Sequence, residues 1–293
     1  MFVTVYAAYE PAGNIFTIVA SPYFDMAQGS VYTLLPNLHS PQFNNSHDIN
    51  AYLPASYVQT PLPRSISILI VNDGTPYFLK ELTFGGGLDH ALPTGVVPET
   101  VLIGLPQSVT DCQRQYELTF SEDPKFVGLC HGRARSGGTD LYFAFIRDQV
   151  VPLVAAAPRV YAGEISMAGV SYDGLTACYA AAAQPAYFRR AFCQSPSLNW
   201  HYGELAAVVK ANVNADAGSR PVAVVMYTGS IEMGSPIPTR QEGVTKTTFQ
   251  YINDTAAAFA EAGGGAIDLH FFTLAGGQHD AASPCFLCGW ECQ

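Results

Sequence analysis

The sequence predicts one α/β domain: a mostly parallel central sheet with helices on both faces, entered through an antiparallel β lead-in. Three observations carry this. From residue 65 onward, short β-branched or apolar runs alternate with longer runs of helical period, as parallel strands joined by crossover helices require. Before about residue 60, apolar and polar residues alternate in short pieces separated by Pro, Gly and Asn, the pattern of antiparallel strands. No linker or internal repeat divides the 293 residues, a length that one α/β domain can occupy. The expected organisation is a β lead-in over 1–60, a core over 61–282 and a cysteine-rich tail over 283–293.

In chain order, the lead-in strands are expected at Phe2–Tyr6, Ile15–Val19, Val31–Leu35 and Asp48–Leu53. Ser65–Val71 is a β-branched run ending in Asn72-Asp73-Gly74, which reads as a buried central strand delivering a loop to one edge of the sheet. A weaker helical run, Pro76–Leu82, stops at the triple glycine 85–87, and Thr100–Leu105 repeats the strand signal. Asp111–Gly138 is long, polar and without clear period, so it reads as a binding loop. Asp140–Val154 places apolar residues at helical spacing. After residue 164 come a strand with Ile165 and Met167, a helix over Leu175–Ala183 and a strand over Arg190–Gln194. A strong strand over Val222–Tyr227, an amphipathic helix over Val244–Glu261 ended by glycines 263–265, and a last strand over Leu269–Leu274 complete the series. In an open sheet of this kind, ligands bind beyond the C-terminal ends of the strands.

Composition excludes several classes. Hydrophobic residues make up 48% and charged residues 13% of the chain, against ~25% charged in an average domain, so the surface must draw on neutral polar side chains. The formal charge of −10 and the lack of any Lys/Arg run argue against nucleic acid or an anionic membrane as partner. No apolar stretch approaches the ~20 residues of a spanning helix. The opening MFVTVYAAYEPAGNIF has no basic region followed by a long apolar one, so it does not read as a signal peptide. Seven cysteines are compatible with an oxidising compartment, and their odd number leaves at least one outside intrachain pairing.

Chemistry concentrates at Glu164–Gly174, EISMAGVSYDG. A strand, a tight turn with Ser171 at its centre and an alanine-rich helix follow one another directly, which is the layout of a nucleophile elbow: serine on a strained turn, small residues where the backbones close up, and a helix N-terminus beneath a developing oxyanion. The usual GxSxG would have glycine where this chain has Asp173, and the next glycine comes one residue late, at Gly174. A first-turn carboxylate gains from the helix dipole yet opposes negative charge in a transition state. Asp173 is therefore expected either to point away or to touch the base or a polar substrate group.

A serine hydroxyl needs a base, and the base needs an orienting acid. His279, in the glycine-flanked loop after the last strand, is the best placed of seven histidines. For the acid, Glu232 follows the Val222–Tyr227 strand; its competitors are Asp254 within a helix, Asp268 at the wrong end of a strand, and Asp280 beside the histidine. Serine, acid, histidine is the chain order of the α/β-hydrolases. Oxyanion donors are expected from the N–H of Tyr172 and from Gly74 or Thr75 in the loop after the first central strand. Cys285, Cys288 and Cys292 lack a second well-spaced ligand pair, so a disulfide-clamped tail is expected in preference to zinc, and no metal or cofactor is called for.

Taken together these residues resemble the esterase branch of the α/β-hydrolases, the group of enterochelin esterases, esterase D, feruloyl and acetyl-xylan esterases and, more distantly, mycolyltransferases. The resemblance runs in order from about residue 48 to 282: Ile49–Pro54, Asp73-Gly74, Val101–Gly104, Arg114 with Glu117-Leu118-Thr119, Gly137-Gly138, Phe145–Asp148, Pro152, the elbow, Gln184-Pro185 with Phe188, and Ser195-Pro196-Ser197-Leu198-Asn199-Trp200. It implies Ser171, Glu232 and His279 as the triad of a serine carboxylic-ester hydrolase acting on a small-molecule or polysaccharide-linked ester. Asp173, Gln278 between the glycines and the histidine, and the cysteine-rich tail depart from the pattern. Arg114, Trp200 and Asp173 are expected to contact substrate, with Arg133 and Arg135 as further cations, and aryl, sugar or siderophore-type esters suit such a pocket. An acyltransferase with the same triad, or a binding protein weakened by Asp173, shares these features.

Overall fold

In this computed structural model the described residues are 30–54, 66–75, 79, 100–106, 110–123, 136–156, 160–212, 221–232, 236–262, 266–275 and 277. The expected strands at Phe2–Tyr6 and Ile15–Val19, the body of the Pro76–Leu82 helix and the cysteine-rich tail lie outside them. The chain divides into two compact units, one drawn from 1–108 and 143–164, the other from 109–142 and 165–289.

In the first unit, β1 (Ser30–Ser40) and β2 (Asn45–Leu53) form an antiparallel hairpin with irregularities between Thr33 and Leu38. Strand β2 pairs antiparallel with β4 (Thr100–Leu105), which runs parallel to β3 (Ile66–Asn72), so the order is β1-β2-β4-β3. Strand β3 buries Ile66, Ile68, Leu69, Ile70 and Val71, as its β-branched, mostly apolar run predicts. The turn after it is held closely: Asn50 Nδ2 donates to Gly74 O at 3.0 Å, and Gly74 N–H to Leu105 O at 3.1 Å. A methyl group on Gly74 would lie 2.3 Å from Gly104 Cα and 2.6 Å from Val71 O. Both obstacles are backbone and cannot rotate away. Gly74→Ala is therefore expected to destabilise the protein by ~2–3 kcal/mol, seen in thermal unfolding as a midpoint lowered by roughly 3–5 °C; an unchanged midpoint would show that the two loops separate at little cost.

The helix expected over Asp140–Val154 is present in three pieces: α2 (Thr139–Phe145), a π turn (Ile146–Val150) and α3 (Val151–Ala155). Pro152 explains the wide turn, because a proline ring clashes with the carbonyl four residues back and has no N–H to give it. The Asp111–Gly138 stretch, expected as a loop, opens instead with α1 (Asp111–Glu117). Its signal is polar: Thr110 Oγ1 accepts the Gln113 N–H, Gln113 Nε2 donates to Glu117 Oε1 at 2.9 Å, and Gln115 and Glu117 are buried. An apolar-periodicity search passes over such a helix.

The second unit carries β5 (Val160–Val170) from residue 165 onward and the parallel strands β6 (Phe188–Gln194), β7 (Val222–Gly229) and β10 (Ile267–Leu274), in that order. Between them lie α4 (Tyr172–Ala183), a short 3₁₀ turn (Trp200–Tyr202), α5 (Leu205–Asn212), the two-residue strands β8 (Ile237–Pro238) and β9 (Thr245–Lys246), and α6 (Thr248–Glu261). Helix α5 and the β8/β9 pair were not expected. Helix α5 is eight residues long and buries only Leu205 and Val209, too little to stand out as a period. Helix α6 starts four residues later than expected because Thr247 and Gln250 form a reciprocal capping box. Helix α4 is buried on nearly every side, which its small alanines allow. Cys178 of α4 and Cys193 of β6 form a disulfide across 15 residues; closing a loop of that length removes unfolded-state entropy worth ~3 kcal/mol.

Candidate active site

The site grows from the end of β5. Ser171 has φ 63° and ψ −121°, a left-handed conformation that costs a non-glycine residue on the order of 1–3 kcal/mol. Its backbone is fixed on both sides: Ser171 N–H donates to Gln194 O at 3.1 Å, and its carbonyl accepts from Ser197 N–H at 3.0 Å and from Leu175 N–H at 3.0 Å. The Oγ lies 3.3 Å from Ser197 Oγ. Tyr172 opens α4, where backbone N–H groups point out of the helix N-terminus.

The missing glycine at 173 has a local explanation. A methyl on Gly169 would lie 2.3 Å from Asp173 Cβ, and one on Gly174 2.8 Å from Gln194 O and 3.1 Å from Pro196 Cα. The elbow closes on Gly169 and Gly174, and the Asp173 side chain occupies the room that Gly169 leaves. Asp173 then turns to Arg114, whose Nη2 donates to Oδ2 at 2.7 Å. Arg114 comes from α1, and its guanidinium carbon sits 5.7 Å from the centre of the Tyr172 ring. Gln115 Nε2 donates to the Tyr172 hydroxyl at 3.4 Å, and Trp200 meets the same ring edge-on at 5.8 Å.

Glu232 is buried, 1% exposed, in the turn after β7. Its Oε1 accepts from Ser195 Oγ and from Gly229 N–H, the latter at 3.3 Å. Ser195 follows β6 with φ 39°, and its N–H donates to Tyr227 O at 2.7 Å. The neighbouring Ile231 N–H donates to Gly277 O at 3.0 Å, which ties the turn bearing Glu232 to the chain two residues before His279. His279 itself lies outside the described residues, as do Arg133 and Arg135. Gly74 and Thr75 belong to the first unit and donate within it, Gly74 to Leu105 O and Thr75 to Asp73 O at 2.8 Å.

Ser195 and Ser197 were not singled out for chemistry by the sequence. The available signal was positional: Ser-Pro-Ser directly after a strand places both at the sheet edge that carries Ser171. The Trp200 segment is anchored too. Trp200 Nε1 donates to Ser121 Oγ at 3.2 Å, and His201 Nδ1 lies 2.8 Å from Glu204 Oε2. Burial pushes the Glu204 carboxyl up, but hydrogen bonds from Ser121 and His201 and the charges of His201 and Arg240 outweigh it and hold the group below the ordinary glutamate value.

Two of the three competing acids are engaged elsewhere: Asp254 pairs with Lys246 on an exposed face of α6, and Asp268 lies 3.3 Å from His270 Nε2 near the start of β10; Asp280 lies outside the described residues.

Among solved structures, the BES protein from Bacillus cereus is similar with a TM-score of 0.70 at 16% identity, over 94% of this chain and 97% of that one. The siderophore hydrolase EstA from Aspergillus nidulans has a TM-score of 0.65 at 20% identity, covering 92% and 96%. A ferulic acid esterase has a TM-score of 0.60 at 14% identity, covering 90% and 97%. These likenesses show the α/β-hydrolase fold. The family model described as "Putative esterase" matches residues 40–250, more than half of the chain, and the protein belongs to that family.

Proposed function

We propose that the protein is a serine carboxylic-ester hydrolase with Ser171 as nucleophile, His279 as base and Glu232 as orienting acid. The observation that carries this reading is the strained conformation of Ser171 at the head of α4. Strain of this kind persists only where the surrounding structure enforces it, and here both backbone groups of Ser171 are held.

In this mechanism His279 takes the Ser171 Oγ proton as Oγ attacks the ester carbonyl. The Tyr172 N–H, at the positive end of the helix, holds the oxyanion. His279 gives its proton to the leaving alcohol, and water then releases the acid by the reverse sequence. Ser195 and Gly229 hold Glu232 Oε1, and Oε2 takes the His279 Nδ1–H. The ring of Tyr172, which directly follows the nucleophile and is met edge-on by the buried Trp200 indole, is the proposed aromatic contact for an aryl ester. The siderophore hydrolase and ferulic acid esterase to which the chain is similar support that class.

The test is a panel of p-nitrophenyl, feruloyl, acetyl-sugar and catecholate siderophore esters, with products followed by mass. Free acid from an aryl ester is the expected product. If an added alcohol captures the acyl group in preference to water, the protein is an acyltransferase with the same triad. Turnover of none of the esters would sink the reading.

A further inference from the structure

We infer that Arg114 is a positioning residue of the nucleophile turn: it neutralises Asp173, the carboxylate this chain carries two residues after Ser171 where the GxSxG pattern has glycine. The inference rests on the serine-hydrolase reading above and adds a role that the triad does not supply.

The side chain of Asp173 is 3% exposed and that of Arg114 18%. A buried carboxylate in the first turn of the nucleophile helix is favoured by the helix dipole in the resting protein. The same helix end must take up a second negative charge when the ester carbonyl becomes an oxyanion. Like charges a few ångströms apart in a poorly solvated site repel strongly, so the carboxylate would raise the barrier to acylation unless a cation is fixed beside it.

Helix α1 provides that cation in a fixed place. Thr110 caps its start, and Leu118 O, just past its end, accepts Thr176 Oγ1 from α4 at 2.8 Å. Between these anchors Arg114 reaches Asp173, and Gln115 reaches the Tyr172 hydroxyl. One helix thus holds both residues that follow the nucleophile. The effect acts through Asp173, so it falls on the transition state, where charge develops, and hardly on binding of a neutral ester.

The experiment is a double-mutant cycle with Arg114→Met, Asp173→Asn and the pair, read by kcat and KM on p-nitrophenyl acetate and by the rate of fluorophosphonate attachment to Ser171. R114M is expected to lower kcat about 30-fold with KM within about twofold. D173N removes the charge that Arg114 offsets, so adding it to R114M is expected to recover at least about tenfold in kcat relative to R114M alone, the non-additivity expected of a coupled pair. If R114M does not fold, Arg114→Lys, which keeps the charge, is compared with Arg114→Gln, which does not. A merely structural role would lower the unfolding temperature in R114M with no recovery of kcat from D173N, and that result overturns the inference, as does an R114M variant as fast as wild type. A wild type that neither turns over nor labels is a different outcome: it sinks the serine-hydrolase reading and this inference with it.

Discussion

Ser171→Ala is expected to reduce ester hydrolysis to background and to abolish the fluorophosphonate adduct seen by intact mass on the wild-type chain. Removing the nucleophile of a serine hydrolase typically costs ~10⁴- to 10⁶-fold in kcat. The protein itself should be little affected. Alanine meets the same backbone penalty at φ 63° as serine does, and the three backbone hydrogen bonds that hold the turn do not use the hydroxyl. Among the described residues, what is lost besides the nucleophile is one contact with Ser197 Oγ at 3.3 Å. The unfolding midpoint should therefore stay within about 2 °C of wild type. Ser197→Ala is the companion: it removes the same contact from the other side and should leave the adduct on Ser171. Persistent labelling of Ser171→Ala would mean that another residue is the nucleophile, and the elbow reading would be wrong.

The strands were legible in the sequence where the apolar run is nearly continuous, whether it is buried almost throughout, as in β3 and β4, or more fully at alternate residues, as in β7. The runs at Ser65–Val71, Thr100–Leu105 and Val222–Tyr227 are apolar on both faces, and β3, β4 and β7 lie within a residue or two of them. The elbow was legible because its geometry demands particular residue types at particular steps. What stayed hidden was organised by polar groups. Helix α1 is held by a threonine cap and a Gln–Glu pair, and it buries Gln115 and Glu117, so it carries no apolar stripe. The consequence of Asp173 was hidden for a related reason: its partner Arg114 lies 59 residues away, and no local pattern joins them. The serines at 195 and 197 were visible as a motif but not as chemistry, because their roles depend on which strand ends adjoin β6.

The acid offers the sharper test of the site, because its resting contacts dictate what its amide does. Glu232→Gln keeps the volume of the side chain, and its carbonyl can continue to accept from Ser195 Oγ and Gly229 N–H, which both meet Oε1. The other end becomes an NH₂ group. If that end faces His279, it donates where the carboxylate would have accepted, so Nδ1 must carry a lone pair and Nε2 the proton. The imidazole then presents N–H to Ser171 and cannot take the hydroxyl proton. Such a tautomer error costs ~10⁴-fold in kcat. With both Oε1 contacts kept, the unfolding midpoint should move by only a few degrees, since isosteric changes of this kind seldom exceed ~1–2 kcal/mol. Asp254→Asn and Asp268→Asn supply the contrast. These acids sit with Lys246 and His270, away from the turn that bears Glu232, and each variant should remain within about twofold of wild type, as substitutions outside a catalytic unit do. A Glu232→Gln enzyme of wild-type rate would reduce the buried carboxylate to a structural partner of Ser195. If Asp268→Asn lost activity in its place, the acid would lie near the start of β10, at the opposite end of the β7–β10 pair from Glu232, and the proposed triad would be wrong.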